Sequence, residues 1–156
     1  MPAQKAALFS SLSEDESREL LRRNHVGRLC FVRNGQPDIT PVHYVADGPW
    51  IFVRSAPGAK MDAVAHHPYV AFEVDEISGA LDWQSVVARG TIYHLPGDGT
   101  PIERRELERA SRALRSLVPE AFTESDPTPQ RQIVYGIHVD EMTGRMAGLD
   151  ASAARG

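Results

Sequence analysis

The sequence predicts a mainly β, α+β domain: six antiparallel strands in a sheet or small barrel, flanked by three helices. Three observations carry that expectation. Strand-like segments follow one another without strict alternation with helices, which favours an antiparallel architecture over a doubly wound one. Asn34-Gly35 and Asp47-Gly48 are strong hairpin signals, because a tight primed turn needs residues that tolerate positive φ. A chain of 156 residues with 42% hydrophobic and 24% charged content has the apolar surface for one core and one domain.

Residues 1–11 read as a flexible arm ahead of a domain over 12–147. Ser13 with Glu16 fits a capping box, so a helix is expected from Glu14 to Asn24. Leu20 and Leu21 mark its apolar face, Leu12 is a possible staple, and Arg22 and Arg23 complement its dipole in the last turn. Val26–Arg33 is rich in apolar and β-branched residues and should pair, across Asn34-Gly35, with Asp38–Ala46. Pro41 lies inside that second strand, where it removes a ladder donor and implies an edge or a bulge. Trp50–Ser55 completes a three-stranded meander.

A short helix is expected over 59–66, ending before Pro68, with Met61, Val64 and Ala65 inward. His66 and His67 are adjacent, so on a helix they point about 100° apart and do not share a metal. In Tyr69–Ile77, Val70, Phe72 and Val74 alternate with Ala71, Glu73 and Asp75, the pattern of a half-buried strand. Glu73 and Asp75 are expected to pair with basic side chains, Arg145 being a candidate. Trp83–Leu95 reads as a long strand that Gly90 bends or bulges. Leu107, Ala110, Leu114 and Leu117 place an amphipathic helix over Glu103–Leu117. Residues 119–130 carry three prolines and read as a loop or lid. Gln132–Asp140 is the last expected strand, and 148–156 an expected frayed tail.

A net charge of −4 argues against general nucleic-acid binding. There is no long apolar run and no evident signal peptide, so cytoplasm is the expected location. The one cysteine, Cys30, reads as a buried inert thiol. GxSxG, GxGxxG, CxxC and HExxH are all absent, so hydrolase, Rossmann-type and zinc chemistry are not indicated.

The residues with chemical potential converge after the meander. Arg54 and Ser55 end one strand and Lys60 opens a helix. A guanidinium, a hydroxyl, an ammonium and free helix N–H groups are the parts of a phosphate site. The ordered segments GRLCFV at 27–32, QPDITPVHYV at 36–45, IFVRSAPGAK at 51–60, HPYVAFEVDEI at 67–77 and WQSVVARG at 83–90 resemble the pyridoxamine 5′-phosphate oxidase-like superfamily of FMN-binding split barrels. Within it, the chain is most similar to the small group that includes the nitroimidazole-resistance proteins.

The resemblance implies a six-stranded split β-barrel, a homodimer, and two equivalent FMN sites at its interface. It assigns Thr40, Pro41, Val42 and His43 to the strand lining the flavin ring. Arg54, Ser55 and Lys60 take the phosphate positions, and Trp83 and Ser85 approach from the other side. The oxidase's adjacent Arg-Lys pair is Ala59-Lys60 here, so one expected cation is missing. Two functions follow. One is an FMN-dependent oxidoreductase acting on a small organic molecule such as a nitro compound, a quinone or a vitamin B6 form. The other is a non-enzymatic carrier of flavin, deazaflavin or haem. No acid–base pair is required for either, and His43 is the candidate for a protonic role because imidazole titrates near neutrality.

Overall fold

The computed structural model describes residues 7–149. Its first element is a strand, β1 (Ala7–Ser11), so the expected arm does not extend over 7–11. Its partner is the far end of the chain: Ala7 opposes Leu149 and Ser11 opposes Arg145. Residues 1–6 and 150–156 lie outside the described part.

Helix α1 (Glu14–Arg23) starts as expected, with Ser13 and Glu16 exchanging both bonds of a capping box. Its fully buried Leu20 packs against Leu12 and Val86, while Leu21 enters the main core. Then come β2 (Val26–Arg33), β3 (Gln36–Asp47) and β4 (Trp50–Ser55). Asn34 and Gly35 both have positive φ, 52° and 73°, as a type I′ turn requires. At the second turn Asp47 still pairs with Trp50, so the central residues are Gly48-Pro49 and only Gly48 has positive φ, 58°. That is the pattern of a II′ turn, one residue later than Asp47-Gly48 suggests.

Helix α2 (Ala59–His66) leads to β5 (Tyr69–Gly79), β6 (Asp82–His94), α3 (Pro101–Leu117) and β7 (Ile133–Leu149). Every ladder is antiparallel, and β7-β4-β3-β2-β5-β6 closes on itself because β6 also pairs with β7. Six strands therefore form the ring, as expected, and β1 is a seventh added outside it. The last strand runs to Leu149, not to Asp140, since it has β6 on one edge and both β4 and β1 on the other. Gly90 marks the expected bulge: Arg89 opposes Glu141 but Gly90 opposes Val139. A Cβ on Gly90 would stand 1.9 Å from the His138 carbonyl oxygen, so the bulge admits no side chain there.

The ring is filled by Leu29, Phe31, Tyr44, Ile51, Val53, Phe72, Val74 and Ile137, among others. Tyr44 stands edge-on to Phe72 with ring centroids 4.9 Å apart. A second core lies outside the ring, where α3 packs Ala110 and Leu114 onto Val45, Phe52, Leu95 and Val134. β4 is thus covered on both faces, which is why five of its six residues are buried.

Candidate functional site

On β4 the odd-numbered side chains Ile51, Val53 and Ser55 face the ring interior, and Trp50, Phe52 and Arg54 face the α3 side. Beyond α3 that outer side is covered by the loop 118–132. Arg54 is only 6% exposed beneath it. Its Nη2 and Nη1 donate to Asp126 at 2.6 and 3.3 Å, and its Nε and Nη2 donate to the Arg131 carbonyl at 2.9 and 2.7 Å. The Phe122 ring lies 4.4 Å from its guanidinium carbon. The fork assigned to a phosphate is therefore taken up by the protein, with Asp126 and the chain around it as its partners.

Asp126 is held well below the usual carboxylate range, first by the Arg54 bonds and then by the backbone N–H groups of Phe122 and Thr128, against the opposing effect of burial. Phe122 has a left-handed φ of 65°, costly for a residue with a Cβ. The Asp126 bond to its N–H and the stack on Arg54 hold it there. The segment expected as a loop or lid is a latch built on one buried ion pair.

Lys60 is placed differently. It is half-buried in the first turn of α2, whose N-cap, Gly58, offers no side chain to the first-turn N–H groups. By contrast α1 and α3 each begin with a capping box. Burial pushes the Lys60 ammonium below the ordinary lysine value, and the nearby positive charge of Arg131 lowers it further. Arg131 Nη1 lies 3.3 Å from Nδ1 of His43. Arg131 thus stands beside His43, and its charge acts on Lys60. Neither Lys60 nor Arg131 has an ion-pair partner among the described residues. Ser55, buried, donates to the Ala56 carbonyl at 3.1 Å.

The remaining expected residues divide by face. Thr40 and Val42 point inward; Val42 is in the core and Thr40 is half-buried. Pro41 and His43 point outward and are exposed, in the part of β3 beyond the β3–β4 ladder, which begins at Tyr44. Trp83 and Ser85 also point outward, but from β6, with β2 and β5 in between. Three strand spacings put the two pairs roughly 14 Å apart, diverging on a convex surface. One chain does not bring them together.

Ser85 donates to Glu73 at 2.7 Å, and Trp83 leans on Phe9 of β1 with centroids 6.5 Å apart. The partner of Glu73 and Asp75 is Arg28, 3.4 Å from each, and not Arg145, because β2 pairs with β5 in register Arg28 to Glu73. Burial and the Asp75 carboxylate raise the Glu73 pKa, outweighing the Ser85 and Arg28 contacts. Cys30 is half-exposed on the same outer face, not buried, and burial with the Glu73 charge raises its thiol pKa. No cluster of three or more metal-ligand side chains occurs among the described residues.

A sequence model of the pyridoxamine 5′-phosphate oxidase family matches residues 13–146. The chain belongs to that family. An uncharacterized protein of Rhizobium meliloti is 29% identical over 145 residues, 87% of this chain and 93% of that one. Among solved structures, an FAD-binding protein of Mesorhizobium loti is 28% identical, with a TM-score of 0.73 over 90% of this chain and 99% of the other. A candidate 5-nitroimidazole antibiotic resistance protein of Bacteroides thetaiotaomicron has a TM-score of 0.70 at 16% identity, covering 94% and 92%. The expected split-barrel fold is thereby established. Beside His43, the residue that sequence reasoning did not single out is Arg131. Its one signal was position, a basic residue at the mouth of the last strand, and nothing local tied it to His43, 88 residues away.

Proposed function

We propose that the chain is an FMN-binding oxidoreductase that works as a homodimer on a small organic substrate. The observation that carries this reading is Lys60, a half-buried ammonium at an uncapped helix start, crowded by a second cation and lacking a carboxylate partner among the described residues. Such a place is stabilised by a bound anion, and a phosphate monoester fits its donors. The FAD-binding relative at 28% identity supports a flavin as the molecule that carries the phosphate.

In this reading Lys60 and the first-turn N–H groups of α2 hold the phosphate. Pro41, His43 and the backbone near Thr40 border the ring on the outer face of β3. Trp83 and Ser85 of a second copy close the other side, since those of the same chain diverge from it. A bound flavin supplies two-electron exchange with the substrate, and the protein supplies orientation and exclusion of water. His43 is placed to hold a proton at Nε2, because Arg131 can only donate to Nδ1.

The test is to denature the purified protein and identify the released chromophore by mass spectrometry, then to add NAD(P)H to the intact protein. Released FMN, bleached by the nucleotide, supports the reading. A colourless protein that takes up no flavin at high excess would falsify it. Bound FMN that no donor reduces would make it a carrier, and a Soret band would make the ligand haem.

A further inference from the structure

Resting on the reading of Lys60 as an anion grip, we propose that Arg131 is the second phosphate-binding cation of this chain and that Arg54 is the residue that positions it. The sequence lacks a cation beside Lys60, since Ala59 precedes it. Arg131 restores one from a distant part of the chain. It acts on Lys60 electrostatically and reaches His43 Nδ1 at 3.3 Å, so its guanidinium lies over the same end of β3. A flexible arginine at the end of a proline-containing loop is poorly placed to bind a phosphate unless its backbone is fixed. Here it is fixed.

Nε and Nη2 of Arg54 clamp the Arg131 carbonyl, Nη2 also lies 3.3 Å from the Thr128 carbonyl, and Asp126 neutralises the clamp from the other side. The Arg131 N–H is itself bonded to the Thr128 carbonyl at 3.0 Å. The backbone of Arg131 is thus held from both its N–H and its C=O, and the side chain reaches Nδ1 of His43. Of the two arginines, the buried one acts through the half-buried one. A phosphate between Lys60 and Arg131 would offset both the burial and the repulsion that disfavour the Lys60 charge, and bidentate guanidinium geometry would add to the ammonium's point charge.

The proposal is tested on the full chain with FMN, riboflavin and inorganic phosphate. Arg131→Gln is expected to weaken FMN binding roughly tenfold or more, the effect of one charge-assisted contact, with riboflavin affinity unchanged. Arg131→Lys should recover part of the loss. Arg54→Lys keeps the buried charge of Asp126 paired but loses the two-pronged hold on the Arg131 carbonyl. It should lower the preference for FMN over riboflavin without weakening riboflavin.

An unchanged FMN-to-riboflavin ratio in Arg131→Gln overturns the assignment of Arg131. Equal loss of both ligands in Arg54→Lys, or no loss of either, overturns the positioning role. Heteronuclear NMR of the Lys60 and Arg131 side chains during phosphate titration separates this from the flavin reading. If both respond to phosphate while no flavin binds, the flavin reading fails and the two-cation site stands. If FMN binds and Arg131 does not respond, the reverse holds. A protein that binds neither phosphate nor FMN overturns both.

Discussion

Arg54 and Lys60 carry the same charge and stand only six positions apart, yet burial gives them opposite fates. Arg54 has a buried carboxylate in reach and keeps its charge as a structural pair. Lys60 has none among the described residues, and burial and the Arg131 charge lower its pKa. Because the folded-state pKa of Lys60 lies below its unfolded value, its charged form is disfavoured in the free protein. That unfavourable contribution is present below the folded pKa and disappears as pH rises past the unfolded one. A bound phosphate favours the charged form and moves the pKa back up, so binding should take up protons in the alkaline range. Calorimetric titration of FMN in two buffers of different ionisation enthalpy should show that uptake, and Lys60→Ala should abolish it. The same variant should lose about 1.5–3 kcal/mol of FMN affinity, the usual worth of a charge-assisted contact. Tyr44 offers a contrasting case, a polar group used only for the fold. Its fully buried hydroxyl donates to the Leu21 carbonyl and joins α1 to the ring. Tyr44→Phe should cost about 1 kcal/mol or somewhat more, because the Leu21 carbonyl then loses a partner. Urea denaturation should show it as a lower midpoint with an unchanged m-value.

At the scale of elements, the 118–132 loop owes its order to Arg54 and Asp126. A carboxylate with a lowered folded pKa contributes stability above its unfolded pKa and loses it as pH falls through the folded value. For Asp126 that fall lies well below the usual carboxylate range, so the loop should stay protected from proteolysis in moderate acid. Arg54→Ala leaves Asp126 buried without its partner and should make the loop cleavable at neutral pH, with a lower melting temperature. Pepsin and trypsin digests of the two proteins decide it. None of this was legible in the sequence, because the pair is 72 residues apart and no spacing rule connects its members. β1 escaped for the same reason, its ladder joining the chain's two ends, and the second half of β7 became strand only because β1 and β6 flank it. What could be read was local. The Ser13–Glu16 capping box fixed where α1 starts, and Asn34-Gly35 fixed the first hairpin. The apolar steps of Leu107, Ala110 and Leu114 identified α3, although its own capping box, Thr100 with Glu103, starts it two residues earlier than expected. The start of α2 beside Lys60 belongs to the legible part because it is local, whereas the Arg131 contact with His43 is tertiary.

The whole molecule presents an outer face that a single copy leaves open. Ile39 is 59% exposed, Tyr69 55% and Val26 49%, and all three stand on the same side of the sheet as Pro41 and His43. An apolar face of this kind, edged by Arg28, Glu73 and Asp75, is suited to self-association through one patch used twice. Ile39→Asp should therefore shift the protein to monomer in sedimentation velocity and lose flavin with it. A sharper test uses the separation of Lys60 and Trp83 across the ring. If each site takes Lys60 from one copy and Trp83 from the other, a Lys60→Ala homodimer and a Trp83→Ala homodimer both have two damaged sites. A mixed dimer then has one site with both defects and one with neither. Subunit exchange at equal proportions should restore roughly a quarter of the wild-type flavin sites, since half the dimers are mixed and each mixed dimer has one intact site. Sites built within single chains would show no recovery, because every chain in the mixture carries a defect. Flavin absorbance retained after gel filtration of the exchanged sample distinguishes the two outcomes.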